Sequence, residues 1–260
     1  MRGIVVFMYH ALYRTRAERE AIDPADRPYA VSVDVFEAQL DRLRASGVPV
    51  LAPEALCTES PQSGVVLTFD DGHASNRDYA FPALADRGLR ALFFVTTDFI
   101  GRRPGFCGWT GLREMAEAGM VLGSHGRTHR FFDDLTDDEA GAELAHSRLA
   151  IERETGARVE TLSFPGGRFR AGQLALARAA GYRRCFSSQV GVWRGGTAAA
   201  GSAVPRIPVR ADTSIALYAR YAAADPLLLA RAQATYGLKR LARRMMGNRL
   251  YHAIYERFSV

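Results

Sequence analysis

The chain has 260 residues, 48% of them hydrophobic, 10% aromatic and 24% charged, which excludes a disordered or fibrous protein and suits one large globular domain. Its net charge of +6 is unevenly placed: positions 237–260 hold six basic residues against Glu256 alone. The rest is near neutral, which excludes a nucleic-acid binder whose whole surface follows phosphates. All but one of the 34 basic residues are Arg, so Arg counts by themselves report a compositional bias.

Short apolar or β-branched runs at 3–8, 48–51, 65–69, 91–95, 120–123, 161–164 and 184–187 predict seven strands. Between them, apolar residues at three- and four-residue spacing predict helices over 35–45, 77–87, 112–118, 137–155 and 173–180. Ser32 or Asp34 can cap the first of these, and Thr136 with Glu139 forms a capping box. Gly47, Gly88 and Gly119 stand where helices end in a left-handed residue. Strand and helix alternating over about 200 residues predict a (β/α) barrel, with an open parallel sheet as the alternative. Residues 188–204 read as a loop around Trp193, and a helix is expected to start near Asp212. Domain bounds are expected at 1–236 for the catalytic unit and 237–260 for a basic amphipathic helical extension. Such an extension can lie on a membrane, cross the barrel or bind a partner.

Cys57, Cys107 and Cys185 are odd in number and widely spaced, which suggests neither a disulfide framework nor a cysteine zinc site. The apolar run from Ile4 to Met8 is too short for a secretory leader or a membrane span, so a cytoplasmic chain is expected.

Chemistry concentrates at strand ends. Thr68-Phe69-Asp70-Asp71-Gly72 places two adjacent carboxylates where a parallel barrel carries its reactive rim, and such a pair stays ionised most easily beside a cation. A helix cap or a turn is the plainer reading of that run. In Ser124-His125-Gly126-Arg127-Thr128-His129, two imidazoles four residues apart can chelate one divalent ion. Together the two runs supply an Asp-His-His ligand set and a spare carboxylate.

These runs, with Ser163-Phe164-Pro165-Gly166-Gly167, resemble three ordered motifs of the polysaccharide deacetylases, the NodB-homology family or carbohydrate esterase family 4. Met8-Tyr9-His10 and the run from Phe36 to Leu40 resemble the opening of its bacterial glycan-deacetylase branch. The resemblance covers roughly residues 4–210 and implies a distorted (β/α) barrel that removes acetyl groups from amino sugars with a metal-bound water. It implies Asp71, His125 and His129 as ligands of a divalent ion, zinc first, with iron, cobalt, nickel or manganese also suited. It implies Asp70 as general base and a backbone N–H near Gly166 for the oxyanion.

The sequence departs from the family pattern twice. Gly166 stands where members carry an aromatic residue after Pro165. The segment from Val204 to Arg210 contains no histidine where members place a general acid, and no Asp or Glu lies between Glu160 and Asp212. Either His10 protonates the leaving amine, or Asp70 returns its proton, or turnover is weak.

Eight Arg and no acid lie between Thr161 and Ala211, including Arg168, Arg194, Arg206 and Arg210. That predicts a positive groove for an anionic or lipid-linked glycan, unless remote acids pair with these residues. Tyr9, Pro165, Gly166, Arg168, Trp193 and Arg206 are the expected substrate contacts. The expected activity is cytoplasmic deacetylation in surface-glycan assembly. A metal- and glycan-binding member without turnover, or a hydrolase of small amides, is the alternative.

Overall fold

The computed structural model describes residues 3–58, 62–195 and 201–238. In chain order its elements are β1 (Ile4–Tyr9), β2 (Leu12–Tyr13), α1 (Arg16–Ala21), β3 (Val31–Ser32), α2 (Val33–Ser46), β4 (Gly64–Phe69), α3 (Phe81–Ala85) and β5 (Leu92–Val95). There follow α4 (Trp109–Glu117), β6 (Val121–Ser124), α5 (Asp137–Thr155), β7 (Thr161–Ser163), α6 (Ala171–Ala179), β8 (Arg184–Phe186), β9 (Ile207–Pro208) and α7 (Ile215–Ala222). Helical backbone resumes over 226–238.

Seven strands form one parallel sheet in the order β8-β7-β6-β5-β4-β1-β9, with β2 and β3 paired separately. The crossovers are the helices anticipated from the 3.6-residue periodicity. The sheet curls until its edges nearly meet. Val204 makes a parallel bridge to Phe186 at the end of β8, while Ile207 and Pro208 pair with Phe7 and Met8 of β1. Residues 204–208 thus form an irregular seam, and the fold is a distorted (β/α) barrel.

Alternation along the strands divides the core in two. Ile4, Val6, Val66, Leu92, Phe94 and Phe186 pack inside the barrel. Val5, Phe7, Tyr9, Val65, Leu67 and Phe69 face outward beneath the helices. Helix α7 covers β1 by stacking Tyr218 on Phe7, with ring centroids 4.2 Å apart. Caps set helix ends as expected: the Ser32 hydroxyl accepts from Val35 N–H at 3.3 Å, and Thr136 and Glu139 close a capping box.

Three expectations change. Residues 48–51 form no strand, because Pro49 lacks a donor and only Val50 bridges to Val65. The helix expected over 77–87 opens as a wider turn at Asn76–Ala80 before α3, because the Pro82 nitrogen cannot donate to the preceding turn. The elements between residues 12 and 32 are too short to show a period. Burial pushes the Cys107 and Cys185 thiols up to about 12, as suits reduced core cysteines. No helix of the described residues is long and apolar enough to cross a membrane. The basic stretch from Lys239 onward lies outside the described residues.

Candidate metal centre and its cavity

The period of β4 places Val66, Thr68 and Asp70 on the inner face. Asp70 N–H extends the β1–β4 ladder by one bond, to Tyr9 O at 2.9 Å, so its carboxylate sits at the end of the barrel, buried at 2% exposure. The chain then turns through two left-handed residues, Asp71 (φ 75°) and Gly72 (φ 83°). A side chain at 72 would meet Ile100 at 2.8 Å, so glycine is required there. On β6, Gly123 and His125 share the inner face. A Cβ at 123 would come within 2.6 Å of the Phe94 ring, and this close approach lets His125 reach the site.

The His125 Nδ1–H donates to Ser163 O at 2.7 Å, which leaves Nε2 as the nitrogen with a lone pair facing the site. His129 is, after Asp71, a second non-glycine residue of the site in the left-handed region (φ 66°). For non-glycine residues this conformation costs on the order of 1–3 kcal/mol each, stored where the surroundings enforce it. Asp71 Oδ1 lies 3.3 Å from His125 Nε2 and 3.3 Å from His129 Nε2. Ligands at 2.0–2.1 Å from a tetrahedral ion stand about 3.3 Å apart. The same Asp71 Oδ1 is buried without a hydrogen-bond partner, an orphan that a cation would satisfy. The donor set and spacing therefore fit a divalent metal. Burial opposes the charge on Asp71, yet the two imidazoles hold it well below the usual carboxylate range. For His129, Asp71 outweighs burial and raises the ring above its ordinary value.

Asp70 has a different partner. Arg206, fully buried at the seam between Phe94 and Phe186, holds it through two bonds: Nη1 to Oδ1 and Nη2 to Oδ2, both 2.7 Å. The same guanidinium donates to Thr68 Oγ1, Ser163 Oγ and Ser187 O, so its donors are saturated. Burial works against the Asp70 charge, but Arg206 and then His125 outweigh it and hold the carboxyl below its usual value. Asp70 is thus an ionised acceptor fixed beside the ligand set, with Oδ2 3.8 Å from His125 Nε2.

His10 stands one residue beyond β1 on the same rim. Asn76 Nδ2 donates to its carbonyl at 2.8 Å and anchors it to the loop after β4. Its ring leans on Tyr29 at 4.9 Å, with Nδ1 buried and unpaired. His10, Asp26, Asp71, His73, Arg103 and Phe106 line a cavity of about 160 Å³. Asp26 was not anticipated. Burial raises its carboxyl above the ordinary value and the charge of Asp71 adds to this, while His10 opposes it. The one clue in the sequence is that Asp26 lies on a connection at the strand-end rim, where barrels carry chemistry.

Several expected substrate contacts lie elsewhere. Tyr9 is buried outside the barrel, stacked on Phe69 and donating to Gln39 Oε1 at 2.7 Å, because the strand period turns it away from the interior. Trp193 is buried at the opposite barrel end, exchanging backbone hydrogen bonds with Ile4. Arg206 binds Asp70, and Arg168 is 4% exposed and paired with Asp133 and Asp134. The positive groove does not form as expected. Arg168, Arg170, Arg183, Arg206 and Arg210 each reach a carboxylate outside the acid-free stretch. Pro165 is buried and Gly166 exposed on the rim, in the turn after β7. A Cβ at Gly166 would lie 2.7 Å from the Phe131 ring, so the glycine makes room for Phe131, with Arg168 stacked on it at 4.2 Å.

Residues 58–185 match the family model for polysaccharide deacetylases, a span that takes in Asp70, Asp71, His125 and His129 but neither His10 nor Arg206. The Bacillus subtilis (strain 168) protein YxkH, provisionally named a polysaccharide deacetylase, is 27% identical over 162 residues, 60% of this chain and 58% of that protein. The chain thus spans under two thirds of the length of that relative. IcaB from Ammonifex degensii superposes with a TM-score of 0.72 at 27% identity, covering 85% of this chain and 97% of that one. The Streptococcus pyogenes deacetylase PplD, solved in complex with acetate, gives 0.74 at 22% identity over 85% and 98% of the two chains, a likeness of fold.

Proposed function

We propose that the chain, whose residues 58–185 match the polysaccharide deacetylase model, is a metal-dependent deacetylase that hydrolyses N-acetyl groups of amino sugars in a surface glycan. The observation that carries this is the orphaned Asp71 Oδ1 set 3.3 Å from two imidazole nitrogens, beside an ionised carboxylate that makes no part of the ligand set.

Asp71, His125 and His129 would hold the ion, with zinc the first choice for one oxygen and two nitrogen donors. When bound, a divalent ion there supplies a Lewis acid that lowers the pKa of water and polarises the acetamide carbonyl. Asp70 accepts the proton of the attacking water. Arg206 keeps Asp70 ionised and fixes both its oxygens, so only the orientation that faces the ligands is available. The Gly166 N–H, on the exposed turn after β7, donates to the carbonyl oxygen as charge develops. His10 gives a proton to the departing nitrogen and Asp70 gives up the one it took from water, so that one water and one acetamide become acetate and an ammonium. Asp26, on the same cavity wall, supplies a negative charge to the protonated His10 and to the ammonium product. Phe131 provides the apolar wall against which a sugar ring can rest.

Acetate release from a panel of N-acetylated and O-acetylated oligosaccharides tests the reaction. Release with matching appearance of free amine is expected from the N-acetylated members. Release confined to O-acetyl esters contradicts N-deacetylation, and none from any member contradicts the activity.

A further inference from the structure

The loop that carries both histidines is itself held by a residue outside the site. Its backbone enters the left-handed region at Gly126 (φ 79°) and again at His129 (φ 66°). Glu143, on the inner face of α5 and only 7% exposed, meets this loop from below. Its Oε2 accepts from Arg127 N–H at 2.7 Å and from Thr128 N–H at 2.9 Å, while Oε1 accepts from the Thr128 hydroxyl at 2.8 Å. A Cβ on Gly126 would stand 3.2 Å from the same Oε2, so the glycine makes room for the carboxylate. One helical turn further on, Ser147 shares a 2.7 Å bond with Ser124, whose hydroxyl accepts from Gly126 N–H at 3.0 Å. Two residues four apart on α5 therefore grip the start and the middle of the loop.

Among the described residues no cation pairs with Glu143, so its charge is met by loop N–H and hydroxyl donors alone. A buried carboxylate in that position is costly unless these bonds form, and they form only when residues 126–129 take the conformation that turns His129 toward Asp71. We infer that Glu143 is a positioning residue for the metal centre, selecting the loop geometry that brings His129 Nε2 to the ion without touching the ion itself. It rests on the metal-centre reading above.

The test uses Co²⁺ bound to the 260-residue chain, read by its visible absorption and by competition with a chelator. Replacing an outer hydrogen-bond partner of a ligand typically weakens metal binding 10–100-fold, and Glu143→Ala is expected to fall in that range with an altered spectrum. Glu143→Gln retains an acceptor for both backbone N–H groups and an amide for the Thr128 hydroxyl, so it is expected to recover most of the affinity. Glu143→Asp withdraws the carboxylate by one methylene and is expected to lie between. Melting of the metal-free variants shows which are folded. Wild-type affinity and spectrum in Glu143→Ala, or in Glu143→Asp if the alanine variant does not fold, overturns the inference. Failure of the wild-type chain to bind Co²⁺ sinks the metal-centre reading instead.

Discussion

Arg206→Leu perturbs the buried pair at the heart of the site. In the folded chain Arg206 makes two bonds to Asp70 and one each to Thr68, Ser163 and Ser187, and both charges are excluded from water. Among the described residues, removing the cation leaves Asp70 with only the Ser163 hydroxyl, at 3.1 Å, and no neighbouring cation of comparable strength. Breaking such a pair from one side costs about 3–5 kcal/mol, whereas replacing both members by neutral groups costs far less. Arg206→Leu is therefore expected to lose about 3–5 kcal/mol in urea unfolding at pH 7, with Arg206→Leu/Asp70→Asn recovering most of it. The pH dependence has a definite sign. In the native chain the Asp70 carboxyl is depressed, so its contribution is present above the unfolded value of about 3.9 and fades as pH falls toward the folded value. Without Arg206, burial dominates and the carboxyl moves above 3.9, so the deficit of the variant is full at neutral pH and shrinks on acidification. A loss below about 1 kcal/mol, or a double variant no more stable than the single one, would refute a charge pair that is mutually dependent.

Other outcomes follow from the same geometry. His10→Ala is expected to lower kcat by about 10²–10⁴ with Co²⁺ affinity intact, since general acid catalysis contributes in that range; unchanged kcat assigns the proton to another group. In the metal-free protein Asp26→Asn is expected to raise the unfolding midpoint at pH 7, because its raised carboxyl marks a charge that folding disfavours beside Asp71. A lowered midpoint contradicts that electrostatic picture. Zn²⁺ at 100 times its dissociation constant is expected to stabilise the chain by about 2.7 kcal/mol through mass action, and thermal unfolding that ignores metal would count against the ligand set.

The barrel and the Asp71–His125–His129 cluster were legible because they leave local signatures. Apolar runs ending in Asp70-Asp71 and in His125 mark strand ends, and the parallel-barrel rule assigns those ends to chemistry. The 19 residues of α5 were found to the residue because a capping box opens the helix and its apolar residues keep three- and four-residue spacing to the end. Tyr9 could not be placed in the same way. The run Ile4–Tyr9 is apolar throughout, being covered on both faces, so nothing in it tells inside from outside. Arg206 read as a substrate contact because it falls in the acid-free, Arg-rich stretch, and the adjoining strand Ile207–Pro208 is too short to show which way it faces. Only the closed barrel reveals that position 206 faces inward above Thr68 and Asp70. Glu143 was hidden among the many charges of α5, where a buried acid and a solvated one look alike.

Acetate release by the metal-stripped and Zn²⁺-reloaded protein, beside Asp70→Asn, tests the central claim most directly. Release is expected only after reloading, with a drop of about 10²–10⁴ in Asp70→Asn while that variant still binds metal. Release that persists at full rate in Asp70→Asn, or without metal, would contradict the account.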